Sequence, residues 1–419
     1  MFLVKFYKHI TLFSFLAFFP AFIPAQLDRL YLPPPDHIKS AVCSINDYPY
    51  INPIASIDEY LFISFDDLEA DQKTYYYRIR RFDQNWQASS LLPMEYIDGY
   101  DTDYIPNEEN SQATLQSYTH YSFKIPNANT RITKSGNYLI EILDEDEEPV
   151  FNFPVIIYEK TISVSVQVQR PVEPAKMHSH QFVKFWLNTG DFHISDPSND
   201  LTVKLYKNEN LFEHTVFHAP TFHSGNRLEY HFPYLSVFPG GDEFLHFETR
   251  DLRGYNPGLD SLRLKDYYHA YITPYLPRRL YVERKDIDGS FVIDSFQAED
   301  DATESDYISV YFRLPPQEVP SGKDIYVVGR FNNWQADNRS RLRFNKETGL
   351  YETSFRLKQG YYDYYFVGKN TDGSLDWTAV YPSFSETENR YTVVVYYHPP
   401  GARYTRVLGI GQAVSKPLK

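Results

Sequence analysis

The chain has 419 residues, a formal net charge of −14, a single Cys, and aromatic side chains at 17% of its positions. One Cys excludes a disulfide scaffold, an iron–sulfur cluster and a four-cysteine zinc site, and the acidic balance argues against a nucleic-acid partner. Disordered chains are poor in aromatics, whereas 37 Tyr, 31 Phe and 28 Pro over this length suit several domains built of short strands and turns.

Residues 1–25 have the anatomy of a secretory signal peptide. Lys5 and Lys8 supply the positive start, Ile10–Ile23 the apolar stretch and Ala25 a cleavage residue. The stretch is short and broken by Pro20 and Pro24, so cleavage is expected in place of an anchor helix. Loss of the two lysines moves the net charge from −14 to −16. No later segment approaches the ~20 apolar residues of a spanning helix, and the alternating runs of a membrane β-barrel are missing. The expectation is an exported, non-membrane-spanning protein of the periplasm, in which Cys43 is a buried small hydrophobe.

Residues 26–160 are expected to form a first β-sandwich. Tyr60–Phe65, Thr74–Phe82, Tyr118–Ile125 and Asn137–Leu143 carry strand patterns, and the five acids Asp144–Glu148 make a solvated turn. A second sandwich over residues 161–270 opens on Thr161–Gln169, where Ile162, Val164, Val166 and Val168 share one face. Residues 271–306 are expected to hold a hairpin of Arg279–Lys285 with Phe291–Phe296, followed by an acidic linker. A third sandwich spans residues 307–398, and residues 399–419 form a basic tail with Arg403, Arg406, Lys416 and Lys419, either docking to a partner or fraying. The fold class is therefore all-β, with tandem immunoglobulin-like sandwiches.

Catalytic motifs are missing. There is no G-x-S-x-G elbow, P-loop, H-E-x-x-H or C-x-x-C. Eight His fall from His178 to His246, but a metal site needs three or four converging ligands and spacing alone shows no convergence. No metal, cofactor, catalytic residue or small-molecule ligand is assigned, and an enzyme is not expected.

The third unit contains Val328-Gly329-Arg330-Phe331-Asn332-Asn333-Trp334, then Leu357-Lys358-Gln359-Gly360-Tyr361-Tyr362 and Asp376-Trp377. These segments resemble the glycogen- and starch-binding modules of the early-set immunoglobulin-like class. That resemblance implies Trp334 and Trp377 as platforms for glucose rings, with Lys358 and Asn389 as polar partners. On the residues themselves the favoured alternative is packing: Phe331 and Trp334 fill the strand–loop corner and Trp377 the core.

Further motifs occur in a fixed order along the chain: Tyr75-Tyr76-Tyr77-Arg78-Ile79, Phe82-Asp83-Gln84-Asn85-Trp86, Glu95-Tyr96-Ile97-Asp98-Gly99-Tyr100, Tyr118-Thr119-His120-Tyr121, Ile125-Pro126-Asn127 and Ser135-Gly136-Asn137-Tyr138. With the two later motifs of the third unit, this order resembles the type IX secretion system plug protein family of Bacteroidota over most of residues 40–397. The resemblance implies an all-β periplasmic protein at the inner face of the outer membrane. It also implies a partner, the giant outer-membrane translocon barrel of the Sov/SprA type, whose periplasmic mouth the protein would cap. No functional residues carry over with that role. Interfaces favour Tyr, Trp and Arg, so the expected Tyr-rich loops Tyr96–Tyr104 and Asp266–Tyr275 offer Tyr96, Tyr100, Tyr104, Tyr267, Tyr268 and Tyr271 as contact candidates. A carbohydrate-binding exported protein is the competing reading.

Overall fold

A computed structural model describes residues 26–46, 53–371 and 373–415. The expected signal peptide, residues 1–25, lies outside the described residues, as do Lys416 and Lys419 of the expected tail. The described chain is almost entirely β, and none of its helices is long and apolar enough to cross a membrane.

Period-2 alternation explains the first sandwich. One sheet runs Ile38–Ile45, Leu61–Asp67, Thr119–Ile125, Asn107–Asn110, all antiparallel. The other runs Ile54–Ser56, Pro149–Tyr158, Gly136–Leu143, Tyr76–Phe82, Thr102–Tyr104. Tyr77, Ile79, Phe65, Tyr121, Phe123 and Ile140 meet between the sheets in one core, and Cys43 is buried within it, its thiol pushed up to about 12 by burial. The acidic turn forms as expected: Asp144 Oδ1 accepts the backbone N–H of Asp146 and Glu148, each at 3.0 Å.

In the second sandwich, Ser163–Gln169 pairs with His180–Asn188, and Val164, Val166 and Val168 turn toward the core as their alternation requires. The opposite sheet is assembled from distant parts of the chain: His214–Phe217, Leu201–Lys207, Arg390–Tyr397, Arg406–Val414. The expected boundary at residue 398 and the basic tail are therefore corrected. Arg390–Tyr397 leaves the third sandwich, and Arg406–Val414 is a strand of the second. Arg406 is held by Glu159 and Arg403 by Glu95, which accounts for the basic character of this segment on an acidic body. Gly409 and Gly411 let it approach closely: a Cβ at Gly411 would lie 2.5 Å from the Val164 carbonyl oxygen.

The third sandwich in turn takes strands from the middle of the chain. Leu245–Glu248 joins Gly360–Lys369, Phe291–Ile293, Ile325–Val328 and Leu375–Asp376 in one sheet. The facing sheet runs Leu259–Leu264, Tyr268–Ile272, Tyr307–Leu314, Leu350–Lys358, Arg343–Asn345. The expected hairpin 279–296 does not form. Arg279–Lys285 takes no strand, and Phe291–Ile293 pairs with Gly360–Lys369, because the buried Asp363 carboxyl group accepts the N–H groups of Ile287 (2.6 Å) and Gly289 (3.2 Å) through Oδ2 and pins the loop there. Within the expected acidic linker, Asp301–Glu304 forms a short helix capped by Asp300.

Buried joints tie the sandwiches together. Between first and third, Lys358 Nζ lies 2.7 Å from Asp66 Oδ2, and Tyr307 donates to the same oxygen at 2.6 Å. Both charged side chains are at most 2% exposed. Between first and second, Trp86, Phe82, Tyr206, Tyr396 and Val407 share an apolar cluster, and Tyr396 donates to Asn137 at 2.9 Å. Between second and third, Arg330 meets Glu209 at 3.3 Å and Arg390 meets Asp288 at 2.7 Å.

Candidate partner-binding face

The third sandwich buries one face of the sheet 259–358 and presents the other. In Tyr307–Leu314 the inward residues are Ile308, Val310, Phe312 and Leu314, all fully buried, while Ser309, Tyr311 and Arg313 point outward. Register then aligns the outward side chains in rows. Arg263, His269, Ser309 and Arg356 form one, and Ser261, Tyr271, Tyr311 and Ser354 the next. Arg313, Glu352 and Arg343 form a third. Four arginines thus share one face of an acidic protein with a single glutamate among them.

The aromatic rings on this face are stacked in order. Tyr271 and Tyr311 lie parallel with centroids 4.7 Å apart, and His269 stacks on Tyr311 at 5.8 Å. Guanidinium groups cover the rings: Arg263 lies 5.4 Å and Arg313 5.7 Å from the Tyr271 centroid, and Arg356 4.2 Å from that of Tyr267. Arg313 is oriented by the Ile272 carbonyl at 2.7 Å and by Asp260 at 3.0 Å. Burial, then Lys265 and Arg356, hold the His269 imidazole below its ordinary value, so it stacks as a neutral ring. The Tyr311 hydroxyl is raised, first by burial and then by Tyr271, and stays protonated. Tyr and Arg with pre-ordered rings combine contact area with hydrogen-bonding tips at little entropic cost, which is the composition of binding hot spots.

The contact candidates divide accordingly. Tyr267 and Tyr271 belong to this face, while Tyr268 is half-buried and packs against the core of the third sandwich. The segment is a central strand and not the expected loop. Tyr100 and Tyr104 are exposed (66% and 53%) but sit at the edge of the first sandwich, on a different sheet. Tyr96 is corrected: it is buried against Tyr138, because Leu91, Tyr96 and Ile97 turn into the first core while Leu92 and Met94 between them stay exposed. Arg313 and Tyr311 were not singled out from sequence, although the strict alternation of residues 307–314 places them on one face.

Of the four residues of the carbohydrate reading, Trp334, Trp377 and Asn389 line one cavity between the second and third sandwiches, while Lys358 lies at the joint with the first. Lys358 is consumed by Asp66, and buried Asn389 donates to Gln181 (3.1 Å) and the Gly240 carbonyl (2.9 Å). Lys358 is thus closed to a ligand, and the Asn389 side chain lines the cavity with its amide already committed. Trp334 is only 3% exposed and stands edge-on to Trp377, with centroids 5.8 Å apart and planes inclined at 64°. It therefore lacks the open flat face on which a sugar ring stacks. Trp86 and Trp334 end parallel motifs, Phe-Asp-Gln-Asn-Trp and Phe-Asn-Asn-Trp, and both adopt left-handed backbone (φ 60° and 61°), which directs each ring into a joint between sandwiches.

No three histidines of the middle region converge among the described residues. His37, Asp67 and Glu69 of the first sandwich form the one close group of potential ligands among the described residues, and Lys73 already bonds to both acids.

Residues 38–159 match the family described as the type 9 secretion system plug protein first domain. Among solved structures, a crystal structure of a hypothetical protein from Parabacteroides merdae aligns with a TM-score of 0.87 at 26% identity, covering 92% of this chain and 98% of that one. No curated protein matches the chain.

Proposed function

We propose, on the premise that this chain belongs to the type IX secretion system plug family through its domain at residues 38–159, that it is a non-enzymatic periplasmic component of that system. It binds the outer-membrane translocon barrel at the inner face of the membrane and plugs the barrel's periplasmic opening. The family match is the observation that carries this reading. The architecture supports it physically: sealing a wide pore calls for a broad surface that does not yield, and buried joints tie the sandwiches to one another. The Tyr271–Tyr311–Arg313 face supplies the contact surface.

The test is photo-crosslinking in intact cells, with a benzophenone amino acid replacing Tyr271, Tyr311 or Arg343, and a control at Tyr234, which is 89% exposed and lies in the second sandwich. Adducts to one very large outer-membrane protein from the face positions, and none from the control, are expected. A deletion strain should also admit large polar dyes. Absence of barrel adducts from all three positions, in a strain whose outer membrane stays tight, would overturn the proposal.

A further inference from the structure

The cations of the Tyr–Arg face are not balanced by acids. On a chain with 55 acidic and 41 basic residues, Arg263, Lys265, Arg313, Arg343 and Arg356 gather on or beside this face, with only Asp260, Asp266 and Glu352 as nearby carboxylates. Arg313 takes Asp260 at 3.0 Å, and Glu352 accepts from Asn345 Nδ2 at 2.8 Å. Arg356 donates to the neutral amide oxygen of Gln116 at 2.7 Å, and Arg343 to the Asn338 carbonyl at 3.2 Å. Arg263 is exposed and lies over the Tyr271 ring. Among the described residues, no carboxylate pairs with Arg263, Arg343 or Arg356. A guanidinium carries five N–H donors, so all three retain several that no protein group takes.

Register sets the distance between two of them. Arg263, His269, Ser309 and Arg356 are successive cross-strand partners, so three strand spacings of ~4.8 Å separate the first and last Cα by about 14 Å. An extended chain rises ~3.4 Å per residue, which puts its residues i and i+4 on one side, also about 14 Å apart. A peptide crossing the strands with acids at those positions brings one carboxylate to each arginine. Its residue i+2 then falls over His269 and Ser309, beside the Tyr311 ring stacked on His269.

Guanidinium forks match a carboxylate or a phosphate equally well. A lipid surface, however, also calls for apolar side chains that stand out and insert. Leu264 and Phe344, exposed on the two edge strands, alternate with Arg263 and Arg343 and so point to the other side of the sheet. Tyr267, Tyr271 and Tyr311 lie half-buried within the face. Ordered rings set flat between unpaired arginines suit a polypeptide.

We propose, resting on the reading of this face as the partner-contact surface, that it receives an extended acidic segment of a partner protein. Carboxylates four residues apart pair with Arg263 and Arg356, and an apolar side chain between them rests against the His269–Tyr311 stack.

The test uses the full mature chain in saturation-transfer NMR at ~20 mM salt, with acetyl-Glu-Thr-Leu-Thr-Glu-amide as the probe. The isomer acetyl-Glu-Glu-Leu-Thr-Thr-amide has the same charge but sends its acids to opposite sides of an extended chain, and acetyl-Lys-Thr-Leu-Thr-Lys-amide reverses the charge. Transfer to the Leu methyl protons of the probe is expected, weaker from the isomer, absent from the lysine peptide and lost at ~0.5 M salt. Arg263→Gln and Arg356→Gln should each weaken the probe about three- to fivefold, whereas Arg279→Gln, outside these rows, should change nothing. Should Arg356→Gln not fold, Arg263→Gln at its exposed position decides. No transfer from the probe at ~10 mM, equal transfer from the isomer, or binding unchanged in Arg263→Gln would overturn the proposal. Sedimentation with phosphatidylglycerol vesicles that Arg263→Gln abolishes, without peptide transfer, would assign the face to lipid and overturn it as well. Barrel adducts that persist when the peptide fails leave the plug reading standing; peptide binding without barrel adducts does the reverse.

Discussion

Replacing Lys358 by Met tests whether the joint between the first and third sandwiches rests on one buried ion pair. Met keeps the length of the side chain and removes its charge. In the native joint Lys358 Nζ is 2.7 Å from Asp66 Oδ2 and donates to the Ala302 carbonyl at 2.6 Å. Asp66 also accepts from Tyr307 and pairs with His120 Nδ1, each at 2.6 Å. At an effective dielectric of ~20, charges at that separation attract by roughly 6 kcal/mol before desolvation is charged against them. Removing one member of a buried pair costs about 3–5 kcal/mol, because the other charge stays behind without compensation. The two remaining partners of Asp66 place the expected loss near the lower figure, about 3 kcal/mol. Asp66→Asn in the Lys358→Met background removes the stranded charge and should recover roughly half of it, since Asn still pairs with Tyr307 and His120. The assay is guanidinium unfolding of both single variants and the double variant, read as a double-mutant cycle at constant slope. Hydrogen exchange at Tyr307 and Lys358 locates the effect in the joint. A loss below ~1 kcal/mol for Lys358→Met, with no recovery in the double variant, would refute the reasoning.

Burial pushes the Asp66 carboxyl up, but Lys358 and then His120 outweigh it and hold Asp66 below the ordinary carboxylate range. Its contribution is therefore present above about pH 4 and lost as pH falls through the native value, and protection at the joint should fall in acid ahead of the rest of the chain. Asp363 and Asp286 behave oppositely: burial, and for Asp363 the neighbouring Asp286, raise both carboxyls, Asp286 to about 7. The native state then holds protons that the unfolded chain releases, so their contribution declines as pH rises from about 4 to 7. Asp363→Asn keeps an acceptor for Ile287 and Gly289 and should flatten that decline relative to wild type in unfolding midpoints across the window; an unchanged slope argues against it. Gly411→Ala should cost about 1–3 kcal/mol, seen as a lower melting temperature, because its Cβ would meet the Val164 carbonyl at 2.5 Å; an unchanged melting temperature would count against the close-approach argument. Cys43 should resist Ellman's reagent in the native protein and react fully in denaturant, since it is buried and its thiol is raised to about 12; rapid native labelling would contradict its placement.

Much of the local structure was legible in the sequence. The alternation of Val164, Val166 and Val168 set the face of a strand, Asp144–Glu148 a turn, and the lone Cys43 an inert buried thiol, because each depends on neighbours within a few residues. The packing reading of Trp334 was also available from its place at the end of a strand. Its sugar-platform alternative differs from packing only in which side chains lie across from the ring, and a distant segment decides that.

Sheet membership shows where sequence stops. Arg390–Tyr397 reads as the same apolar strand whether it closes the third sandwich or, as it does, the second through Leu201–Lys207. A strand pattern specifies an inner face and not a partner, and both sandwiches offer an edge of similar character. The same limit hid the Tyr–Arg face, whose rows of side chains come from segments as distant as Arg263 and Arg356. It also hid the ion pair of Asp66 with Lys358, separated by 292 positions. Local pattern specified most of the strands, their inward residues and the plug-family resemblance, though not the irregular course of Arg279–Lys285. Only the tertiary structure decided which strands share a sheet, which charges are buried together and which aromatic rings remain at the surface, because those outcomes depend on contacts between segments that carry no mark of one another.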